Sequence, residues 1–283
     1  MDFWVVQLVN GVSYGMLLFL VAVGLSLVLG LMGYLNLAHG VFVALGGYIG
    51  LTLVKARVDF WLAVLGGALV AMLVAAVLQQ VLLGRFHSEL TQVLGTFGLI
   101  LIMMDVVLIV WGGVPETLRL PPVLNTLVPV LEARVPLYRL VLILLGTLVF
   151  LGMWWFQEKT PYGAVVRAGL DDRQMVEALG INIGLVAALV FVFGAFLAGA
   201  AGAIGAPIIG VHPVVPFDML LLALVVIVVG GLGSIRGAFV GALIVGLTDN
   251  LGRALFPHLA YFTLFAPMAL LLVFRPSGLF GRR

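Results

Sequence analysis

Charged side chains are concentrated in one short stretch of an otherwise apolar chain. Residues 171–180, DDRQMVEALG, include Asp171, Asp172, Arg173 and Glu177, although charged residues make up only 9% of the sequence and apolar residues 64%. Charges in this arrangement suit ion pairing with a partner protein. The sequence supplies neither the paired carboxylates nor the His/Asp/Glu cluster that a membrane-embedded enzyme would need. The segment therefore gives no indication of catalysis, and either contact with a partner protein or an ordinary solvated surface would suit it.

Helix start and stop signals are packed together within residues 157–184. Thr160 fits an N-cap position and is followed by a proline suited to the first helical position. Asp171 is predicted to cap a second short helix, with Gln174 at capping-box spacing. Gly180 suits the left-handed conformation that ends such a helix. We expect a helix–turn–helix insertion that is too short to cross a membrane.

The second of these predicted helices is amphipathic. Met175, Val176 and Leu179 should form an apolar stripe directed toward the protein's own helices, while the charged residues lie off that stripe. The alternative is an ordinary amphipathic loop helix with no partner.

The rest of the chain has the composition of a membrane protein. The mean hydropathy is +1.29, and a spanning helix needs about 20 apolar residues. We therefore predict a single transmembrane domain over residues 1–283, all-α and polytopic, with eight or nine transmembrane helices. The nine apolar runs are 5–31, 37–54, 60–83, 93–111, 137–156, 184–209, 219–232, 238–251 and 260–274.

The two polar connections are expected on opposite sides of the membrane. Residues 112–136 are proline-rich without a helical period, which predicts an ordered extracytoplasmic loop, and residues 157–184 are assigned to the cytoplasm. The distribution of Lys and Arg favours this orientation only weakly. If residues 37–54 cross the membrane, there are nine spans and the N-terminus lies outside. If they form a re-entrant segment, there are eight spans and the N-terminus lies inside.

Four residues in or beside the apolar runs are candidates for a translocation pathway. Asp105 lies within an apolar run, where an ionised carboxylate is costly. The alternatives for it are a hydrogen bond to a neighbouring helix or subunit, or a position nearer the interface. In NLAHG, at 36–40, Asn36, His39 and Gly40 interrupt the apolar pattern and could contact a polar solute. The alternative is a turn at the membrane edge in which His39 bonds a carbonyl.

Small residues recur at every fourth position in the later apolar runs. Such ridges let helix backbones approach closely in lipid. They predict close helix packing, and sliding or gating of one helix against another is an equal alternative. The glycines concerned are Gly194, Gly199, Gly202, Gly237 and Gly241.

Several function classes lack support in the sequence. The chain has no phosphate-binding loop, and neither Lys55 nor Lys159 follows a glycine-rich segment, so we expect no ATP hydrolysis by this chain itself. The histidines are scattered, which argues against a metal site, and the basic residues form no nucleic-acid-binding patch. A secondary transporter is a rival, but it should carry more intramembrane acids and bases than Asp105.

Four sequence blocks carry a family resemblance. EALG at 177–180 resembles the EAA loop of ABC-importer permeases. More narrowly, the chain resembles the shorter type of branched-chain amino acid permease. The blocks are NLAHG (36–40), TPYGAVVRAGLDDRQMVEALGIN (160–182), GGLGSIRGAFVGALIVGL (230–247) and FRPSGLFG (274–281). The family usually has phenylalanine at Leu37, a basic residue near Ala164 and proline at Arg236.

The resemblance implies one permease subunit of a prokaryotic ABC importer in the cytoplasmic (inner) membrane. It implies a second, related permease in a heterodimer, two cytoplasmic ATPases that bind the ATP, and an extracytoplasmic solute-binding protein. It implies branched-chain or other hydrophobic amino acids as cargo, although relatives carry urea, short amides or aromatic acids. The residues expected to couple to the ATPases are Arg167, Asp171, Asp172, Arg173, Glu177, Ala178 and Gly180. No cofactor is expected in this chain.

Overall fold

The computed structural model describes residues 2–33, 35–81, 88–131 and 133–281, and these residues form eleven α-helices and one two-stranded sheet. The helices are α1 Asp2–Met32, α2 His39–Lys55, α3 Phe60–Val81, α4 Glu89–Val110, α5 Leu137–Lys159, α6 Pro161–Asp171, α7 Arg173–Ala178, α8 Ile183–Ile209, α9 Val215–Gly230, α10 Ile235–Leu255 and α11 Ala260–Phe274. The strands are β1 Leu127–Val130 and β2 Ala133–Pro136.

Every apolar run in the sequence corresponds to a helix. Six helices in the described residues (α1, α3, α4, α5, α8 and α10) are long and apolar enough to cross a membrane. The helices of the other three runs are shorter, with 17 residues in α2, 16 in α9 and 15 in α11. The predicted all-α, polytopic membrane architecture is confirmed. The count of eight or nine spans stays a prediction.

Polar residues between the apolar runs start the helices. The Ser88 hydroxyl accepts a hydrogen bond from the Thr91 amide at the start of α4, at 3.2 Å. The Ser234 hydroxyl accepts from Gly237 at 3.0 Å at the start of α10. Each cap satisfies an amide that has no partner within its own helix.

The connection at 112–136 contains more regular structure than we expected. A short 3-10 turn, Pro122–Asn125, precedes an antiparallel hairpin in which Val128 pairs with Val135 and Pro129 with Arg134. Proline is tolerated because each strand of a two-stranded sheet has an edge that needs no amide donor. The prediction of an ordered non-helical loop missed this hairpin.

The chain divides into two compact units, each assembled from distant parts of the sequence. Unit 1 comprises Met1–Val23, Leu120–Trp154 and Ala223–Arg283. Unit 2 comprises Gly24–Arg119 and Trp155–Leu222. Helices α1, α5 and α9 contribute residues to both units.

Contacts within unit 1 establish the relative directions of three helices. A Cβ at Gly146 of α5 would lie 2.6 Å from the Met16 Cβ of α1, and further along both helices the Phe19 and Phe150 rings are 5.9 Å apart. Helices α1 and α5 are therefore parallel. Gly11 and Gly15 of α1 lie against Leu247 and Ala242 of α10, respectively. The order of those contacts is reversed, so α1 and α10 are antiparallel.

In unit 2, the packing of α8 against α2 and α3 depends on glycine. A Cβ at Gly199 would lie 2.6 Å from the Ala71 Cβ of α3, and a Cβ at Gly202 would collide with the Val43 carbonyl oxygen of α2. Gly194 faces the end of α1, where its Cβ would lie 3.2 Å from the Gly24 Cα.

The other two predicted packing glycines lie in unit 1. A Cβ at Gly237 would collide with the Gly230 carbonyl oxygen. A Cβ at Gly241 would lie 2.6 Å from the Val226 carbonyl oxygen. At both positions the neighbour is backbone of α9, which cannot move aside as a side-chain tip could. The glycines therefore set how closely α9 and α10 approach.

We predict that Gly202→Ala destabilises the protein by about 1–3 kcal/mol, because the added methyl group meets a backbone carbonyl. Gly152→Ala is the matched control, since a Cβ at Gly152 has nothing within 4 Å. Thermal unfolding in detergent measures both. Equal unfolding midpoints for Gly202→Ala and the unmutated chain would contradict the packing assignment.

Candidate functional site

The segment after α5 folds back because of one threonine and one glycine. The Thr160 hydroxyl accepts a hydrogen bond from the Gly163 amide at 3.0 Å, and Pro161 occupies the first turn of α6. A Cβ at Gly163 would lie 2.6 Å from the Gln157 Cα in the last turn of α5. Only glycine therefore lets α6 start this close to the end of α5.

The predicted cap of the second helix is wrong by one residue. Asp171 is the last residue of α6, and the Asp172 amide still bonds the Ala168 carbonyl, at 2.8 Å. Asp172 has extended backbone angles and its carboxylate accepts from the Met175 amide at 2.9 Å. Asp172 is therefore the N-cap of α7. Because the third residue of α7 is then Met175 and not Gln174, no reciprocal capping box forms.

Helix α7 ends at a glycine with a positive φ. Gly180 has φ of 82°. Its amide bonds the Glu177 carbonyl at 3.0 Å, and the Ile181 amide bonds the Val176 carbonyl at 3.3 Å. These two bonds are those of a Schellman motif. Ile181 also packs against the apolar cluster that contains Val176, which is the hydrophobic contact that usually accompanies this motif.

A small apolar cluster holds both short helices in place. It is formed by buried residues from the end of α1, from α6, from α7 and from the start of α8, namely Leu31, Val166, Val176, Ile183 and Ala187. Gly169 of α6 lies against Ile183 as well. The cluster therefore connects α7 to the ends of two long helices.

Only one residue of the predicted apolar stripe belongs to that cluster. Val176 is 2% exposed, whereas Met175 is 59% and Leu179 is 72% exposed. Met175 and Leu179 are four residues apart and share a face that a six-residue helix cannot bury together with Val176. The expectation that all three face the protein is wrong. The structure leaves two apolar side chains beside the charges on the outer surface.

Most of the predicted coupling residues lie on this outer surface. Asp171, Asp172, Arg173, Glu177, Ala178 and Gly180 are all exposed. Arg173 and Glu177 form an ion pair one helical turn apart, at 3.1 Å. Arg167 is half-buried, with its guanidinium 3.9 Å from the Glu158 carboxylate at the end of α5. The exposed ion pair contributes little to stability because solvent screens it, so both charges can exchange partners at small cost.

The candidate pathway residues at the start of α2 are buried. Asn36 is 0% and His39 is 1% exposed. The Asn36 Oδ1 accepts a hydrogen bond from the Ala38 amide at 3.1 Å, and the Thr96 hydroxyl of α4 accepts from the Leu37 amide at 3.2 Å. Gly40 lies against the Pro216 carbonyl. This arrangement buries both polar side chains of the NLAHG block, and their role in a translocation pathway stays a prediction.

Asp105 does not share that buried environment. It lies on an exposed face of α4, six residues before Trp111, among the exposed side chains of Leu101, Ile102 and Ile109. Its carboxylate makes no hydrogen bond or ion pair with any other described residue. The described residues of this chain therefore leave Asp105 uncovered, and its role in a translocation pathway stays a prediction.

Sequence reasoning missed an assembly at the end of α9. The Leu279 and Phe280 amides bond the Val229 and Gly230 carbonyls, at 3.0 and 2.9 Å. Two of the four sequence blocks thereby meet, with the C-terminal segment satisfying the last carbonyls of α9. Gly231 and Gly278, with φ of 100° and 79°, allow the two turns to touch.

Arg236 belongs to the same assembly. Its guanidinium lies 5.8 Å from the Trp154 ring centroid, over a residue five positions before the end of α5. A cation over an indole ring at this distance is favourable. The arginine that departs from the family pattern thus has a partner in the structure.

Among the described residues, no group of three or more His, Asp or Glu side chains is placed to hold a metal ion.

Comparisons with known proteins agree with one another. Residues 7–274 match a family model described as the permease component of the branched-chain amino acid transport system. The chain is 29% identical to the high-affinity branched-chain amino acid transport system permease protein LivH of Escherichia coli, covering 98% of this chain and 95% of that protein. It is 28% identical to BraD of Pseudomonas aeruginosa over the same shares of the two chains.

A solved structure shares the fold. PsaBC from Streptococcus pneumoniae, in complex with Fab, contains a chain that superposes with a TM-score of 0.55. The match covers 97% of this chain and 91% of that one, at 12% sequence identity. At this identity the likeness concerns the fold alone.

We predict that Val176→Ser detaches α7 from its apolar cluster, at a cost of about 2 kcal/mol, because a buried branched side chain is lost. Met175→Ser, at an exposed position of the same helix, should change stability by less than about 0.5 kcal/mol. Limited trypsin digestion reports the difference through the rate of cleavage after Arg173. Equal cleavage rates in both variants would show that Val176 does not anchor α7.

Proposed function

The chain belongs to the branched-chain amino acid transport system permease family, and we propose that it is the membrane-spanning subunit of an ABC importer for branched-chain or other hydrophobic amino acids. The resemblance drawn from the four sequence blocks is confirmed by the family match and by relatives similar over nearly the full chain. The chain is a multi-pass membrane protein. Its position in the prokaryotic inner membrane is part of the proposal.

One observation supports the proposal above the others. Helices α6 and α7 form a capped unit that is held by Val166 and Val176 against the ends of α1 and α8, while its outer surface is charged and partly apolar. A partner that binds this surface and moves would displace the ends of two long helices with it. The exposed side chains of Met175 and Leu179 suit the apolar centre of such an interface, and the charges suit its rim.

The remaining subunits are proposed on chemical grounds. The sequence contains no phosphate-binding loop, so the free energy for uptake has to come from ATPase subunits that dock on α6 and α7. The uncovered carboxylate of Asp105 on α4 supports a second, related permease beside this chain, since a charge facing lipid is costly. A solute-binding protein would deliver cargo at the opposite side, where residues 112–136 form a folded loop.

The helix directions favour nine spans over eight. Helices α1 and α5 are parallel in unit 1. Three apolar helices, α2, α3 and α4, connect them. Two helices that run in the same direction must be separated in the chain by an odd number of membrane crossings. If α2 were re-entrant, α3 and α4 alone would leave α1 and α5 antiparallel. We therefore place the N-terminus outside, opposite to α6 and α7.

The coupling role predicts a specific defect. In the assembled transporter, Glu177→Lys should weaken ATPase docking by about 2 kcal/mol or more, roughly thirtyfold in Kd, because a charge at the interface is reversed. Uptake and ATP hydrolysis in reconstituted vesicles, together with docking affinity in detergent, provide the measurement.

Arg119→Glu serves as the control, since it reverses an exposed charge in the loop at 112–136. It should leave ATPase docking unchanged. Unaltered docking and uptake in Glu177→Lys would remove α7 from the coupling surface.

The topology can be tested by labelling, because the chain contains no cysteine. In intact cells, Asp2→Cys should react with a membrane-impermeant maleimide, as should Arg119→Cys. Tyr162→Cys, on the exposed surface of α6, should react only after the cells are permeabilised. If Asp2→Cys and Tyr162→Cys become accessible under the same condition, α2 does not cross the membrane and eight spans are correct.

A further inference from the structure

Helix α2 begins partway along α8 and not at the level where α1 ends. At the end of α1, Leu31 packs beside Ile183, the first residue of α8. At the start of α2, the Phe42 ring lies 5.7 Å from the Phe191 ring. Phe191 is eight residues along α8 from Ile183, a rise of about 12 Å. The chain therefore advances along α8 between Leu31 and Phe42, and the described residues between α1 and α2, 33 and 35–38, are not helical.

Helix α9 also begins partway along α2, but it is reached from the opposite end of α2. Val211, just after α8, contacts Gly47 of α2 and forms a bridge with Glu116 of the folded loop. Five residues later the Pro216 carbonyl lies against Gly40. Gly40 is about 10 Å deeper along α2 than Gly47. The first turns of α2 and α9 thus meet at one depth, and each span has a non-helical entrance.

Interrupted helices of this kind have a chemical consequence. Non-helical backbone at membrane depth is tolerated where it is buried in protein or lines a cavity, and the N-termini of half-helices direct their positive dipole ends toward anionic groups. Of the two N-termini here, α9 carries an acidic residue, Asp218, in its first turn, 3.8 Å from His212. Helix α2 has no acidic residue in its first turn.

The start of α2 contains a polar group without a partner. The Asn36 Oδ1 caps the Ala38 amide, which directs the side-chain amide toward the first turn of α2. The Nδ2 of the same amide is buried and has no hydrogen-bond partner among the described residues. The nearby Thr96 hydroxyl accepts from the Leu37 amide and donates to the Val93 carbonyl, and it makes no bond to Asn36. Asn36 Nδ2 is thus a buried donor that needs an acceptor.

We propose that Asn36 and the N-terminus of α2 form a binding site for the carboxylate of the transported amino acid. The proposal rests on the proposed importer function and adds the group that is recognised. A neutral amide donor and a helix dipole suit a carboxylate, because they stabilise negative charge without a permanent cation that would hold the cargo too strongly to release it.

The site is closed in this structure, and Gly40 is the reason that it closes fully. A side chain at position 40 would collide with the Pro216 carbonyl. Access for a carboxylate therefore requires the first turns of α2 and α9 to separate. Both turns pack in unit 2 together with α8, whose first residue belongs to the apolar cluster under α7.

Asn36→Asp is the sharpest test, because it keeps the oxygen that caps Ala38 and replaces only the unpartnered donor. In vesicles containing the complete transporter, we expect L-leucine uptake per ATP hydrolysed to fall at least about tenfold while ATP hydrolysis continues. Asn125→Asp, the same change at an exposed position of the folded loop, should leave this ratio unchanged.

A second measurement uses the unmutated protein and so does not depend on how the variant folds. L-leucine should raise the thermal unfolding midpoint of the purified permease pair, and L-leucinamide, which lacks the carboxylate, should not. Equal shifts for both compounds, or no shift for either, would overturn the carboxylate site, as would an unchanged transport ratio in Asn36→Asp. A bound water as the only partner of Asn36 predicts these same negative results. An unmutated transporter that hydrolyses ATP without moving L-leucine would instead contradict the proposed function.

Discussion

Backbone hydrogen bonding in a medium without water is the constraint on which the rest of this structure depends. Each amide and carbonyl within the apolar layer needs a partner supplied by the protein, which is why the apolar runs all become helices. The places where helices stop are therefore the informative ones. The carbonyls at the end of α9 are satisfied by the amides of Leu279 and Phe280. Just before α2, the amides of Leu37 and Ala38 are bonded by the side chains of Thr96 and Asn36.

Close helix contact through glycine is the second feature that these interruptions require. Gly40 lets the first turn of α2 touch that of α9, and Gly202 lets α8 lie against the backbone of α2. Without a hydrophobic driving force between helices in lipid, van der Waals contact of this kind holds a bundle together. The same contacts make the packing sensitive to small shifts, since backbone pressed against backbone has few alternative arrangements.

The segment formed by α6 and α7 is attached to the long helices through a small apolar area. Its attachment consists mainly of Val166 and Val176 in a cluster with the ends of α1 and α8. Its two caps, Thr160 and Asp172, and the left-handed Gly180 make the short helices rigid without further burial. Rigidity that comes from caps leaves the outer surface available. Met175, Leu179 and the exchangeable charges of Arg173 and Glu177 can then be used for a partner.

The sequence by itself determined the class of protein, the positions of the nine apolar helices and the location of the charged segment. Composition and periodicity depend on the solvent around each residue, and lipid selects long runs of apolar residues that are easily recognised in a sequence. Local signals such as Thr160-Pro161 and Gly180 depend on neighbours in the chain, and they identified helix ends to within one residue. The tertiary structure decided what depends on distant residues. It showed that α7 buries Val176 alone, that the described residues leave Asp105 uncovered, and that α2 meets α9 at Gly40 and Pro216. Those contacts join residues far apart in sequence, and no local pattern encodes which helix will supply the neighbour.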